Sequence, residues 1–347
     1  RSTDGQTWQE VFSGIPGRSG SSDRFDFVSY ANGLFFATGS NSLIYTSPDG
    51  QTWTLRTPDE SGNYRNVAYV GGTYIFGNSL SGTYTTTDLV DFESNSWNGA
   101  NGTNEGFAMV GSTLINVGRA GYIGTSTDGL NWTERRQRLG DRFGSVAYGV
   151  EKFVICDESE GRIFTSPDGS TWTFVHQLSE AYRTGVVQGG ERFVIVGNSF
   201  VATSTDGTLW TEERHNLSHL PDSVHFVNGR FIVLGRSGEV SESSDGIGWT
   251  ERDTGTGNWL YDIDYGDGVY AIANASNVIL TSPDLITWNL RPTGAAGGES
   301  FTDIAFDGSR FLAGRTFRDF TLSEDGVNWS MIEDSPSFAI SELNHDP

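Results

Sequence analysis

An all-β fold, a β-propeller of about eight four-stranded blades, is predicted by three observations. A turn signature recurs nine times at intervals of about 40 residues, an apolar strand signature alternates with it eight times, and no stretch shows helical periodicity.

The turn signature is Ser/Thr-x-Asp-Gly-x-x-Trp. Its acidic residues are Asp4, Asp49, Asp88, Asp128, Asp168, Asp206, Asp245, Asp284 and Asp325. Four residues after each comes an aromatic: Trp8, Trp53, Phe92, Trp132, Trp172, Trp210, Trp249, Trp288 and Trp329. Successive aromatics are 45, 39, 40, 40, 38, 39, 39 and 41 residues apart. Glycine follows the aspartate except at Leu89 and Leu285. Asp-Gly between two strand-like runs is a hairpin signal, because glycine reaches positive φ at little cost. The carboxylate accepts hydrogen bonds from the N–H groups of its own turn, and the Ser/Thr hydroxyl closes the same network. The tryptophan then lies on the next strand, against the neighbouring blade. One device per blade serves a fold, whereas catalysis needs one of each group, so these residues read as structural.

The second signature supplies the other half of each blade. A short strand such as Val146-Ala147-Tyr148 or Ile304-Ala305-Phe306 is followed by a turn and a more apolar run such as Arg192-Phe193-Val194-Ile195-Val196. Each unit therefore has four short strands, the last carrying the tryptophan. Eight first halves and nine second halves leave one pair unmatched, at residues 1–12. Eight blades with residues 1–12 left over as an outer-strand hairpin is the favoured count. Nine blades closed by both termini, with Phe338-Ala339-Ile340 as an inner strand, is the alternative. Either way residues 1–347 form a single repeat domain, with 336–347 as a tail able to close it.

This pattern resembles the Asp-box, or bacterial neuraminidase repeat, propellers, a group that includes sialidases, photosystem assembly factors and many secreted proteins. The resemblance covers nearly the whole chain. It departs at one point: the family places glycine two and the aromatic five residues after aspartate, against one and four here. It implies the propeller fold and says little about activity.

Composition bounds the partners. Forty-four acidic against 22 basic residues give a net charge of −22, and Lys152 is the one lysine. So acidic a surface repels phosphate backbones and anionic membranes, which argues against nucleic acid. No apolar run of 18 residues exists, so no membrane insertion by a helix is expected. A lone cysteine, Cys156 within Phe153-Val154-Ile155-Cys156, reads as a buried small hydrophobe. The five histidines lack metal-ligand spacing. No cofactor is expected, with Ca²⁺ left open because acidic loop residues recur. The chain begins at Arg1 and reads as a mature or trimmed fragment of a larger chain, extracellular, on the cell surface or periplasmic.

Ligand contacts are sought in the loops that precede first strands and follow second strands, which share one face of a propeller. After second strands come Arg119, Arg236 and Arg315, guanidinium groups suited to an anion. Entering first strands are Asp26, Tyr64, Arg65, Glu105, Arg142, Tyr182, Arg183, Asp222, Asp262 and Asp303. Trp259 lies outside the tryptophan repeat, after the glycine-rich loop 255–258, and can offer a stacking surface. The reading preferred is a binding module or scaffold taking a glycan or protein ligand. The alternative is an exo-glycosidase of sialidase type or a polysaccharide lyase acting on acidic carbohydrate. Arg119, Arg236, Arg315, Tyr64 or Tyr182, Glu105 and Asp26 supply the residue types of the former, but the Phe-Arg-Ile-Pro segment of sialidases is absent.

Overall fold

A computed structural model describes residues 25–39, 43–56, 62–78, 82–95, 104–110, 112–119, 121–135, 142–157, 159–180, 185–215, 217–295, 300–315, 320–332 and 342–345. The fold is an eight-bladed β-propeller. Its blades span residues 25–55, 64–95, 104–134, 143–177, 186–214, 221–253, 260–292 and 301–331, numbered 1 to 8 here. Each is a four-stranded antiparallel meander in chain order. The described residues form eight blades and no ninth. Glu342–His345 adds instead to blade 1 as a fifth strand, parallel to Phe25–Ala31. Residues 1–12 and Phe338-Ala339-Ile340 lie outside the described residues.

Within a blade, burial follows strand position. Second strands such as Arg230–Gly235 are buried at every residue but the first, and third strands such as Ile44–Ser47 throughout. Fourth strands such as Thr211–Arg214 are largely exposed. A strand covered on both faces reads as a continuous apolar run, which is why the second strand carries the longest run. First and second strands are joined by facing aromatics: Tyr30–Phe35, Tyr69–Tyr74, Tyr148–Phe153, Phe226–Phe231, Tyr265–Tyr270 and Phe306–Phe311 have ring centroids 4.6 to 5.0 Å apart. Such cross-strand pairs each add a fraction of a kcal/mol to the hairpin.

The chain forms two compact units, Ala68–Gly257 and Arg1–Val67 with Asn258–Pro347. In the first, apolar clusters form between consecutive blades, with Val154 and Cys156 of blade 4 against Phe193 and Ile195 of blade 5. Cys156 is buried and unbridged. In the second, one cluster runs through blades 7, 8 and 1, and Trp53 stacks on Phe320 at 5.3 Å. Fourth strands are also clamped. Glu212 accepts hydrogen bonds from the N–H and hydroxyl of Ser179, at 3.0 and 2.6 Å, and lies 2.8 Å from His176 Nε2.

All eight described Asp-centred turns share one network. The Ser or Thr hydroxyl donates to aspartate Oδ1 at 3.0 to 3.1 Å. The same oxygen accepts from the N–H groups two and three residues on, as in Asp128 from Leu130 and Asn131. These donors favour the ionised carboxylate and hold its pKa down. In Asp128 and Asp325 a further bond from Asn131 or Asn328 helps overcome desolvation and brings it to about 2. Six tryptophans donate Nε1–H to the carbonyl of the residue after the aspartate.

The residue after the aspartate is left-handed even where it is leucine: φ is +73° at Gly129 and +64° at Leu285. A Cβ on Gly129 would lie 2.4 Å from Ile75 of the preceding blade, so a side chain there requires Ile75 to shift. Leu285 is instead 1% exposed, its side chain filling the space. Left-handed leucine costs roughly 1–2 kcal/mol. Emptying a buried leucine site costs about 2–5 kcal/mol. Leu285→Gly is therefore expected to destabilise by about 1–3 kcal/mol in urea denaturation. A gain in stability would show that strain, not packing, decides this turn.

Candidate functional site

In the unit Ala68–Gly257, the loop that follows the second strand of blade 3 meets the loop that enters blade 4. Arg119 follows the strand Thr113–Gly118, and its carbonyl accepts the N–H of Tyr122 at 3.2 Å, closing a tight turn. Arg142 immediately precedes Phe143, which is fully buried and edge-on to Phe164 at 6.1 Å. Arg119 and Arg142 form an antiparallel bridge, and both are exposed. Bridged residues carry their Cβ atoms about 5 Å apart, and like charges placed directly opposite destabilise a sheet. The bridge therefore sets two exposed arginines directly opposite each other on a chain of net charge −22. Arg142 was legible as a loop residue, but nothing in the sequence pairs it with Arg119 across 23 residues of chain.

Further along the same unit, Arg236 is bound to Asp222. Nε donates to Oδ1 at 2.8 Å and the second nitrogen lies 2.6 Å away. Arg236 follows the second strand of blade 6 and Asp222 lies in its first, so this pair links the two strands of one blade. His219 is nearby in sequence and buried, with Nε2 2.9 Å from Ser241 Oγ, and burial pushes its pKa down. His225 is lowered to about 4 by burial alone.

In the other unit, Asp262 and Asp264 on the first strand of blade 7 serve blade 8. Asp262 Oδ2 accepts the N–H of Ile304 at 3.0 Å, and Asp264 Oδ2 accepts that of Phe306 at 2.6 Å. Ser145 of blade 4 does the same for Val186 of blade 5, at 2.8 Å. First-strand edges thus find side-chain acceptors on the preceding blade, which satisfies backbone donors that no ladder reaches. Burial is the main cause that raises the Asp262 carboxyl to about 7. The Ile304 N–H opposes it, while the charge of Asp264 adds to it. Asp264 escaped sequence reasoning, although it stands where Ala147 and Ala305 stand in other blades.

Arg315 is 1% exposed, with its guanidinium 5.7 Å from the centre of the Phe301 ring, so it is a core group of blade 8. Tyr64 is fully buried. Trp259 is 43% exposed and edge-on to Tyr261 at 6.1 Å, and its carbonyl accepts the N–H of Ala275 at 2.8 Å. Asp26, Arg65 and Glu105 fall within the first strands of blades 1, 2 and 3. Tyr182 and Arg183 lie outside the described residues. Among the described residues, no group of three or more His, Cys, Asp or Glu is placed to hold a metal ion. None of their helices is long and apolar enough to cross a membrane.

No protein-family model matches the sequence, and no curated protein matches it either. Solved structures do match. The computationally designed Ika8 protein has a TM-score of 0.68 at 12% identity, over 93% of this chain and 99% of that one. The C-terminal WD40 domain of Sif2 has a TM-score of 0.64 at 12% identity, over 86% and 95%. YCF48 bound to a D1 peptide has a TM-score of 0.56 at 16% identity, over 87% and 91%. At these identities the likeness is one of fold. It places no activity on the chain, and the site must be argued from its own residues.

Proposed function

We propose that this chain is a binding module that takes a carboxylate-bearing ligand at Arg119 and Arg142. The observation that carries the reading is the bridge itself: two exposed arginines paired through their backbones on a protein of net charge −22. Guanidinium groups bind carboxylates with two parallel hydrogen bonds, and a ligand with closely spaced carboxylates can engage both residues. Acidic glycans and acidic protein segments both offer such groups. The fold suits either role, and a structural relative, YCF48, carries a bound peptide. A secreted or surface setting agrees with the strong negative charge, and kinship with the Asp-box propellers agrees with the Asp-centred turns. A sialidase-type arginine triad finds less support, since Arg315 is buried and Arg236 is committed to Asp222.

Calorimetric titration with oligogalacturonate and with a polyglutamate peptide tests the reading. One of them is expected to bind, more weakly as salt rises. Arg119→Ala and Arg142→Ala are each expected to weaken it about 10- to 100-fold, the loss of a charge-assisted hydrogen bond of about 1.5–3 kcal/mol. Binding that both variants leave unchanged would refute the assignment.

A further inference from the structure

Blade 1 is unlike the other seven. Its first strand, Phe25–Ala31, pairs with a fifth strand, Glu342–His345, in the register Phe27 with Glu342, Val28 with Leu343, Ser29 with Asn344 and Tyr30 with His345. This pairing is parallel, while the blades themselves are antiparallel meanders. Parallel pairing is slightly weaker per residue, and four residues give few bonds. The added segment, Glu-Leu-Asn-His, holds no β-branched or aromatic residue, the types that favour strands. The pairing shown is backbone to backbone.

The added strand pairs with the backbone of that edge. The first strand of blade 8 has its N–H groups bonded by Asp262 and Asp264 of blade 7. The positions that correspond to them in blade 8, facing blade 1, are Asp303 and Ala305. Alanine carries no acceptor there, as Ala147 carries none for blade 5, so the device is incomplete at both edges, and among the described residues blade 1 is where a strand is added. A strand supplies carbonyls instead.

We propose that the edge of Phe25–Ala31 is a peptide-docking edge, which the chain's own Glu342–His345 occupies in this structure and which an extended basic segment of a partner protein takes by strand exchange. Recognition is by strand addition: backbone hydrogen bonds supply affinity and alternate side chains supply selectivity. Charge selects a basic partner. The resident strand brings Glu342 into a chain of net charge −22, whereas an incoming lysine or arginine meets that field favourably. The two sites share no residue, and neither proposal depends on the other.

The test uses the full chain and two fluorescent peptides. One copies residues 338–347; the other carries Glu342→Lys and Asp346→Lys. In the chain, Leu343→Pro and, separately, Asn344→Pro remove an N–H and disfavour the resident strand, so that one of them acts whichever residue faces the edge. At least one proline variant is expected to bind the basic peptide tenfold or more tighter than the unaltered chain does. The acidic copy is expected to bind more weakly than the basic one. Hydrogen exchange on the unaltered chain gives a readout that needs no variant. At saturating basic peptide, amides 342–345 should lose protection while 27–30 keep theirs. Equal affinity of all chains for the peptide, or unchanged exchange at 342–345, would overturn the proposal.

Discussion

Trp53→Ala is expected to lower the unfolding free energy by about 3–5 kcal/mol, the usual range for emptying a buried tryptophan site. Trp53 is 5% exposed and stacks on Phe320 of the neighbouring blade with an interplanar angle of 14°. Its Nε1–H donates to the Gly50 carbonyl at 3.1 Å, so the ring is fixed at both ends. Removal leaves a void that Phe35 and Tyr45 of the same cluster, both held in strands, cannot close. Trp53→Phe keeps most of the apolar contact and forfeits the hydrogen bond, so about 1–2 kcal/mol is expected. Trp259→Ala is the control, since an exposed ring contributes within about 0.5 kcal/mol. Urea denaturation of the three variants checks the ranking. A Trp53→Ala variant within 1 kcal/mol of the parent would show that the repeat tryptophans do not hold the blades together.

Asp262 should make stability depend on pH near neutrality. Its carboxyl titrates at about 7 in the folded chain, above its ordinary 3.8. A group raised on folding contributes stability that is complete below the unfolded value and is lost as pH climbs through the folded one. The window is therefore pH 4 to 7, with a slope of about 1.4 kcal/mol per unit and a total on the order of 4 kcal/mol. Asp262→Asn keeps one carbonyl oxygen where the carboxylate uses two, for Ile263 and Ile304. Losing that acceptor costs about 1–3 kcal/mol at every pH. The two stability curves are thus expected to cross: the variant is weaker at pH 4 and at least as stable at pH 8. Melting temperatures across pH 4–8 measure this. Parallel curves would mean that Asp262 stays ionised, shielded by the N–H groups around it.

Much of this was legible in the residues. The nine-fold Ser/Thr-x-Asp signature specified the turn network because every partner lies within four residues of the aspartate, and local bonds need only local sequence. The tryptophan spacing specified the blade length, and the alternation with apolar runs specified four strands per blade. The candidate site was legible only as a set of types. Arg119, Arg236 and Arg315 occupy matching places in their blades and look equivalent in the sequence. Burial, an ion pair and a bridge then give them three different fates, and each is decided by residues distant in the chain: Phe301, Asp222 and Arg142.

By itself the sequence determined what repeats: the strand pattern, the turn chemistry and the period, which are short-range and survive in every copy. Tertiary structure decided what does not repeat. It made the last strand a fifth member of blade 1, raised the Asp262 carboxyl by enclosing it beside Asp264, and brought two like charges together. The physical reason is that burial and electrostatics depend on how strands and blades pack together, whereas hydrogen-bonded turns depend on residues a few positions apart in the chain.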